Sequence, residues 1–238
     1  MQDEKKQLEV LLINYFRECY DAFPKGRIVP AESPDFMVKA PSKRLLGIEL
    51  TRLHSAVSPD ETQNRILQLS QELYERSDHH KLLVKVLFSE KHPIHAESEL
   101  ALSARLANSI RNAVKSRNER SFFNLNLEST QLPTGIEKLA LIHHPQFEES
   151  VWESVNSAYP SPDIVKDIKV AIDKKEQKLP LYRRHHFDEY WLVISCDHIQ
   201  NTRSFRKQNP IQDELFHSGF RRVFLFEILS GRVFELSE

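Results

Sequence analysis

The chain has 238 residues, of which 40% are hydrophobic and 28% are charged, as in a folded globular protein rather than a disordered one. A net charge of −1 excludes a strongly basic or acidic protein. No apolar run approaches the roughly 20 residues of a membrane span, so we expect no membrane partner. The two cysteines form no CxxC pair, and the charged first residues do not resemble a signal peptide, so a reducing cytoplasm is the expected compartment.

The first third of the chain predicts a helix followed by strands. Apolar side chains recur at helical spacing from Leu8 to Phe23, which predicts an amphipathic helix. A short extended segment is expected at 26–30. The segments Phe36–Lys39 and Leu45–Leu53 are expected to be paired strands, because the turn-forming sequence 40–44 joins them.

Two Ser-Pro-Asp sequences predict helix starts in the rest of the chain. Ser58 is expected to cap a helix that runs to about Arg76, with Pro59 in the first helical position. The second sequence, 161–163, precedes apolar residues at helical spacing that extend to Tyr182, with a kink at Pro180. Other expected elements are a strand at 82–88, a helix at 98–117, a strand at 138–143, a buried strand at 190–195 and a hairpin of 222–229 with 232–236.

This order of elements predicts an α/β (α+β) layered fold. We expect a single domain over residues 1–238, with residues 90–160 as a candidate insertion or subdomain. The five glycines form neither GxGxxG nor GxxxxGK[ST], which argues against a phosphate-cradling loop.

Each of the paired strands carries one carboxylate. Asp35 lies at the mouth of the first strand and Glu49 lies inside the second. A carboxylate in a buried strand is costly unless it is paired or holds a metal. Two carboxylates on adjacent strands are able to hold a hard divalent cation. The alternatives are that Asp35 caps a local turn and that Glu49 forms a buried salt bridge with Arg44 or Arg52.

The sequence Pro34-Asp35 opening one strand, followed by Glu49 in the next, resembles the PD-(D/E)XK nuclease superfamily. The resemblance implies a restriction-endonuclease-like fold, which is a mixed central sheet flanked by helices. It also implies that Asp35, Glu49 and the Leu50 carbonyl bind Mg²⁺ or Mn²⁺ for cleavage of DNA or RNA. The family normally has a lysine two residues after the acidic residue, where this chain has Thr51.

A lysine from another element is a candidate replacement. Lys175 and Lys178 lie near the apolar stripe of the helix that follows residue 163, where a lysine is unexpected unless its ammonium has an inward partner. The alternative is that both side chains extend along the edge of the stripe into solvent. Thr51 and the neutral net charge favour a second hypothesis, a catalytically silent module that binds nucleic acid or another protein.

Other polar groups of the sequence give weaker indications. Adjacent histidines occur at 79–80, 143–144 and 185–186, and neighbours in a strand or helix point in different directions, so we expect surface or loop histidines rather than metal ligands. Basic residues are concentrated at 111–120, 166–184 and 203–207. These segments are either ordinary solvated faces or parts of a local surface for nucleic acid.

Overall fold

The structure is a computed structural model, and it describes residues 2–53, 60–92, 94, 98–155, 164–183, 186–197 and 214–236. Several sequence predictions lie outside the described residues: Ser58, Pro59, the helix start at 161–163, His185 and the basic segment 203–207. None of the helices in the described ranges is long and apolar enough to cross a membrane.

The described secondary structure follows the predicted order. The first elements are α1 (Gln2–Cys19), β1 (Arg27–Pro30), β2 (Phe36–Lys39), β3 (Leu45–Arg52), α2 (Glu61–Glu75), β4 (Leu83–Phe88) and α3 (Glu99–Val114). The later elements are β5 (Phe123–Glu128), β6 (Ile136–His143), β7 (Val151–Val155), α4 (Ile164–Glu176), α5 (Leu179–Tyr182), β8 (Glu189–Cys196), β9 (Arg222–Glu227) and β10 (Arg232–Glu235).

The chain divides into two compact units. The first unit is Met1–Tyr15 with Ser55–Tyr159, and the second unit is Phe16–His54 with Pro160–Glu238. The long segment of the first unit therefore interrupts the second unit between β3 and α4. The prediction of one domain with 90–160 as an insertion stays a prediction.

The second unit contains a six-stranded mixed sheet in the order β1-β2-β3-β8-β9-β10. The central strands β3, β8 and β9 are parallel, whereas β1 with β2, β2 with β3, and β9 with β10 pair antiparallel. The apolar run in β8 suits a strand that is buried on both faces. Its residues from Trp191 to Cys196 are all buried.

Helices supply the apolar contacts on both faces of this sheet. Leu192 and Ile194 of β8 belong to one cluster with Ile168 and Ile172 of α4. Alternate residues of a strand point to opposite faces. On the other face, Phe16 at the end of α1 lies 5.2 Å from Phe224 between ring centroids. The sheet is therefore packed between helical elements, and α4 is held against β8.

The first unit contains a second mixed sheet, in the order β5-β6-β4-β7. Strands β4 and β6 are antiparallel and β4 and β7 are parallel. Buried residues of α2 and α3, such as Ile66 and Leu106, form one core with Val84 and Leu141 of this sheet. With helices and mixed sheets in both units, the predicted α/β (α+β) class is confirmed.

Some predicted boundaries are wrong. The helix expected to reach Phe23 ends at Cys19, and Phe23 packs 6.0 Å from Phe16 from within the following turn, which explains its place in the apolar pattern. The cap of helix α2 is Asp60, two positions after the predicted cap, and its carboxylate accepts from the backbone N–H of Thr62 and Gln63. Ser58 and Asp60 are two positions apart in the sequence, and the two residue types cap helices about equally well.

Candidate functional site

Strands β2 and β3 bring Asp35 and Glu49 to neighbouring positions. The antiparallel ladder ends with Phe36 opposite Ile48. Asp35 precedes Phe36 and Glu49 follows Ile48, so they are the next two residues in that register. The Asp35 Oδ2 atom accepts a hydrogen bond of 2.8 Å from the Leu50 backbone N–H. Asp35 therefore joins the two strands rather than only capping a local turn.

Glu49 is buried in the middle of the sheet and is ion-paired. Its side chain is 3% exposed, and its Oε1 atom accepts a hydrogen bond of 2.7 Å from the Lys175 ammonium. The same ammonium donates to the Leu50 carbonyl oxygen at 3.2 Å. Arg52, one of the residues considered as a partner of Glu49, pairs instead with both carboxylate oxygens of Asp197 at 2.9 and 2.8 Å.

The position of Lys175 follows from the apolar stripe of α4. Ile168 and Ile172 are buried in the cluster against β8, and Lys175 lies seven and three residues after them, on the same helix face. β8 is the parallel neighbour of β3, with Leu192 opposite Glu49. A long side chain on this face therefore reaches β3 from α4.

The structure does not bring the other two predicted catalytic side chains into this contact. Lys178 is exposed, and its side chain makes no hydrogen bond with Glu49 or Asp35. Thr51 is half-buried opposite Ile194 of β8, and its carbonyl oxygen accepts a hydrogen bond of 3.3 Å from the Ser195 hydroxyl. The roles of Lys178 and Thr51 stay predictions.

Tyr182 also belongs to this site, although its spacing in the sequence predicts only a residue of the apolar stripe. It is 2% exposed, and its phenol lies beside the Glu49 carboxylate. Burial, followed by the negative charges of Glu49 and Asp35, raises the pKa of Tyr182 above its usual value. The Tyr190 hydroxyl donates to the Tyr182 carbonyl oxygen at 2.8 Å and so fixes the end of α5.

The charges of Asp35 and Glu49 both raise the pKa of Tyr182, which indicates that the two carboxylates lie near the same phenol. The formal charges of its two carboxylates and one ammonium give this group one net negative charge. Its potential ligands are carboxylate and carbonyl oxygens, which are the donors that Mg²⁺ and Mn²⁺ prefer. The types of donor therefore match such an ion, and Asp35, Glu49 and the Leu50 carbonyl are the groups that would hold it.

The donor set is small. Within the described ranges, no group of three or more His, Cys, Asp or Glu side chains is arranged to hold a metal ion. Two carboxylates and one carbonyl leave positions for water, which Mg²⁺ commonly retains in proteins. Metal binding here stays a prediction.

Three of the paired histidines, His80, His143 and His144, are buried in the first unit. His143 lies in β6 and is buried, so the expectation of a surface or loop histidine is wrong for this residue. Its ring nitrogens each lie 2.8 Å from a backbone carbonyl oxygen, that of Lys81 and that of Glu119. His80 and His144 are in loops but are also buried. These contacts tie separate segments of the chain together.

No family model, curated protein or solved structure matches this chain. The resemblance to the PD-(D/E)XK superfamily therefore depends on the residues around Asp35 and Glu49. The structure adds that Lys175 contacts Glu49 and that the two acids occupy neighbouring positions of adjacent strands.

Proposed function

We propose that this protein is a metal-dependent phosphodiesterase, a nuclease of the restriction-endonuclease-like class that acts on DNA or RNA. The observation that carries the proposal is the contact of the Lys175 ammonium with Glu49, beside Asp35. Lys175 thereby replaces the lysine that the family has at the position of Thr51. A cytoplasmic location belongs to the same proposal.

Each of the four polar residues has a role in this proposal. Asp35 and Glu49 hold Mg²⁺ or Mn²⁺ with the Leu50 carbonyl, and the ion supplies charge stabilisation and an activated water at the phosphate. Lys175 donates hydrogen bonds to the phosphate oxygens as negative charge develops on them. Tyr182 positions the Glu49 carboxylate through its phenol.

Exposed basic residues at the end of α4 and after α5 support a polyanionic substrate. Lys174, Lys178 and Arg183 are all exposed and belong to the same stretch of chain as Lys175. Phosphate contacts by lysine and arginine supply sequence-independent affinity for nucleic acid. This stretch is therefore the surface that we expect to lie along the substrate backbone.

The test combines metal binding with cleavage. Purified protein is incubated with Mn²⁺ or Mg²⁺ and labelled single- and double-stranded DNA and RNA, and Mn²⁺ binding is measured by calorimetry. We expect both cleavage and Mn²⁺ binding to be lost in Asp35→Asn and in Glu49→Gln. Asp173→Asn, which changes an exposed carboxylate on α4, is the matched control. Cleavage that survives both site substitutions contradicts the proposal.

A second candidate function is a catalytically silent module that binds nucleic acid or another protein. The Lys175 ammonium already compensates the charge of Glu49 and contacts the Leu50 carbonyl, so the site is paired within the chain itself. Calorimetry separates the two functions, because the silent module is expected to show no Mn²⁺ binding that depends on Asp35.

A further inference from the structure

The Lys175 ammonium contacts the same two groups that the proposed function assigns to the metal. It lies 2.7 Å from Glu49 Oε1 and 3.2 Å from the Leu50 carbonyl oxygen. An ammonium has only donors, and it occupies a lone pair on each of the two oxygens that the metal ion would bind. A divalent cation on these oxygens is also repelled by the positive charge of Lys175.

We propose that Lys175 is an internal competitor for the divalent cation, and that a substrate phosphate relieves the competition. This inference rests on the proposed function. When a phosphate group of the nucleic acid accepts the hydrogen bonds of Lys175, Glu49 and Leu50 become available to the cation. Metal and nucleic acid then bind with positive coupling, and each raises the affinity of the other by the same factor.

The position of Lys175 is suited to this exchange. Its side chain is 14% exposed, whereas the Glu49 side chain is 3% exposed, so Lys175 is the more accessible residue of the pair. Lysine has a flexible four-carbon stem that allows its ammonium to change partners. The Tyr182 phenol stays beside Glu49 when the ammonium leaves, so the carboxylate keeps a polar neighbour.

The first experiment measures Mn²⁺ affinity by calorimetry in the absence of nucleic acid. We expect Lys175→Met to bind Mn²⁺ at least ~5-fold more tightly than the wild type, at the low end of typical coupling factors. Lys174→Met removes a neighbouring exposed lysine of α4 and is expected to leave the affinity unchanged. Unchanged or weaker affinity in Lys175→Met overturns the competition.

The second experiment uses the wild-type protein, so it does not depend on the folding of a variant. Amine acetylation is followed by mass spectrometry for Lys175, with Lys174 as the internal reference. Saturating Mg²⁺ is expected to raise the acetylation rate of Lys175 relative to Lys174, because the ammonium is released from Glu49. An unchanged ratio overturns the proposal.

The third experiment tests the coupling with phosphorothioate oligonucleotides of DNA and of RNA. We expect one of them to raise the Mn²⁺ affinity of the wild type, and the effect to be absent in Lys175→Met. An equal effect in both proteins overturns the role of Lys175. If Mn²⁺ binding is unchanged in Glu49→Gln, the metal site is wrong and both proposals are overturned. If Mn²⁺ binding is lost in Glu49→Gln but is equal in the wild type and Lys175→Met, only the competition is overturned.

Discussion

The Lys175 ammonium lies 2.7 Å from the Glu49 carboxylate, although 126 positions of sequence separate the two residues. Both side chains are largely shielded from solvent, with 14% and 3% of their surface exposed. Removal of one partner from a buried ion pair leaves a charge that is neither solvated nor paired. The pair therefore links the stability of the second unit to the same residues that form its candidate site.

We predict that Lys175→Met and Glu49→Gln each lower the free energy of unfolding by about 3–5 kcal/mol, because each leaves the other member of a largely buried pair without its opposite charge. The double variant is expected to lose less than the sum of the two single variants, since neither charge then remains. Urea denaturation followed by circular dichroism measures all three. Lys174→Met, at an exposed position, is the control and is expected to change stability by less than about 0.5 kcal/mol. Additive losses contradict a direct interaction.

The adjacency of Asp35 and Glu49 is predictable from sequence because strand periodicity and a short turn together fix the pairing of β2 and β3. Lys175 was a candidate for a similar local reason, since a lysine in an apolar helix stripe requires an inward partner. The choice of Lys175 over Lys178 depends on how α4 ends. Helix α4 ends at Glu176 and α5 begins at Leu179, which leaves Lys178 in the exposed connection.

Tyr182 and His143 show what sequence patterns do not determine. A tyrosine in an apolar stripe is usually a core residue, and only the packing of α5 brings its phenol to Glu49. His143 binds the carbonyl oxygens of Lys81 and Glu119. Neither backbone group has a side-chain signature in the sequence, so the burial of this histidine depends on tertiary structure alone.

Tyr182→Phe is expected to lower stability by about 1 kcal/mol, because it removes the buried hydroxyl beside Glu49 while the ring remains in place. If the proposed function holds, it also weakens Mn²⁺ binding, since the carboxylate loses a positioning contact. Tyr190→Phe is the matched control, because its hydroxyl binds the Tyr182 carbonyl oxygen rather than a carboxylate. Thermal unfolding and Mn²⁺ calorimetry are measured on both. The same Mn²⁺ affinity in both variants counts against a positioning role for the Tyr182 phenol.

Gly47→Ala is expected to destabilise the second unit by about 1–3 kcal/mol, as is typical of an overpacked site. A Cβ at this position of β3 lies 2.7 Å from Pro34 Cγ and 3.2 Å from Tyr190 Cδ1. The methyl group forces Pro34 to move, and Asp35 is the next residue. The Asp35 contact with the Leu50 N–H is therefore expected to weaken, which amide hydrogen exchange at Leu50 measures. Unchanged protection of this amide shows that the strand absorbs the methyl group without moving Asp35.

The last prediction concerns Asp78 in the first unit, whose Oδ1 atom accepts three hydrogen bonds. The donors are the Tyr74 hydroxyl at 2.9 Å, the His80 backbone N–H at 3.1 Å and the His80 Nδ1 atom at 2.8 Å. Burial opposes ionisation of this carboxyl, but the hydrogen bonds from His80 and Tyr74 outweigh it and lower the pKa of Asp78 below its usual value of 3.8.

A carboxylate whose pKa is lower in the folded state stabilises the fold at a pH above its unfolded pKa. The contribution is lost as the pH falls through the folded value, because Asp78 is then protonated in both states. We therefore expect Asp78→Asn to cost about 1–2 kcal/mol at pH 7, and this difference from the wild type to shrink below about pH 4. Urea denaturation between about pH 3 and about pH 7, which covers the usual range of aspartate pKa values, measures this stability difference. The exposed Asp173→Asn control is expected to show a small difference at every pH. A cost of Asp78→Asn that stays constant down to the lowest pH rules out the ionised carboxylate as its source.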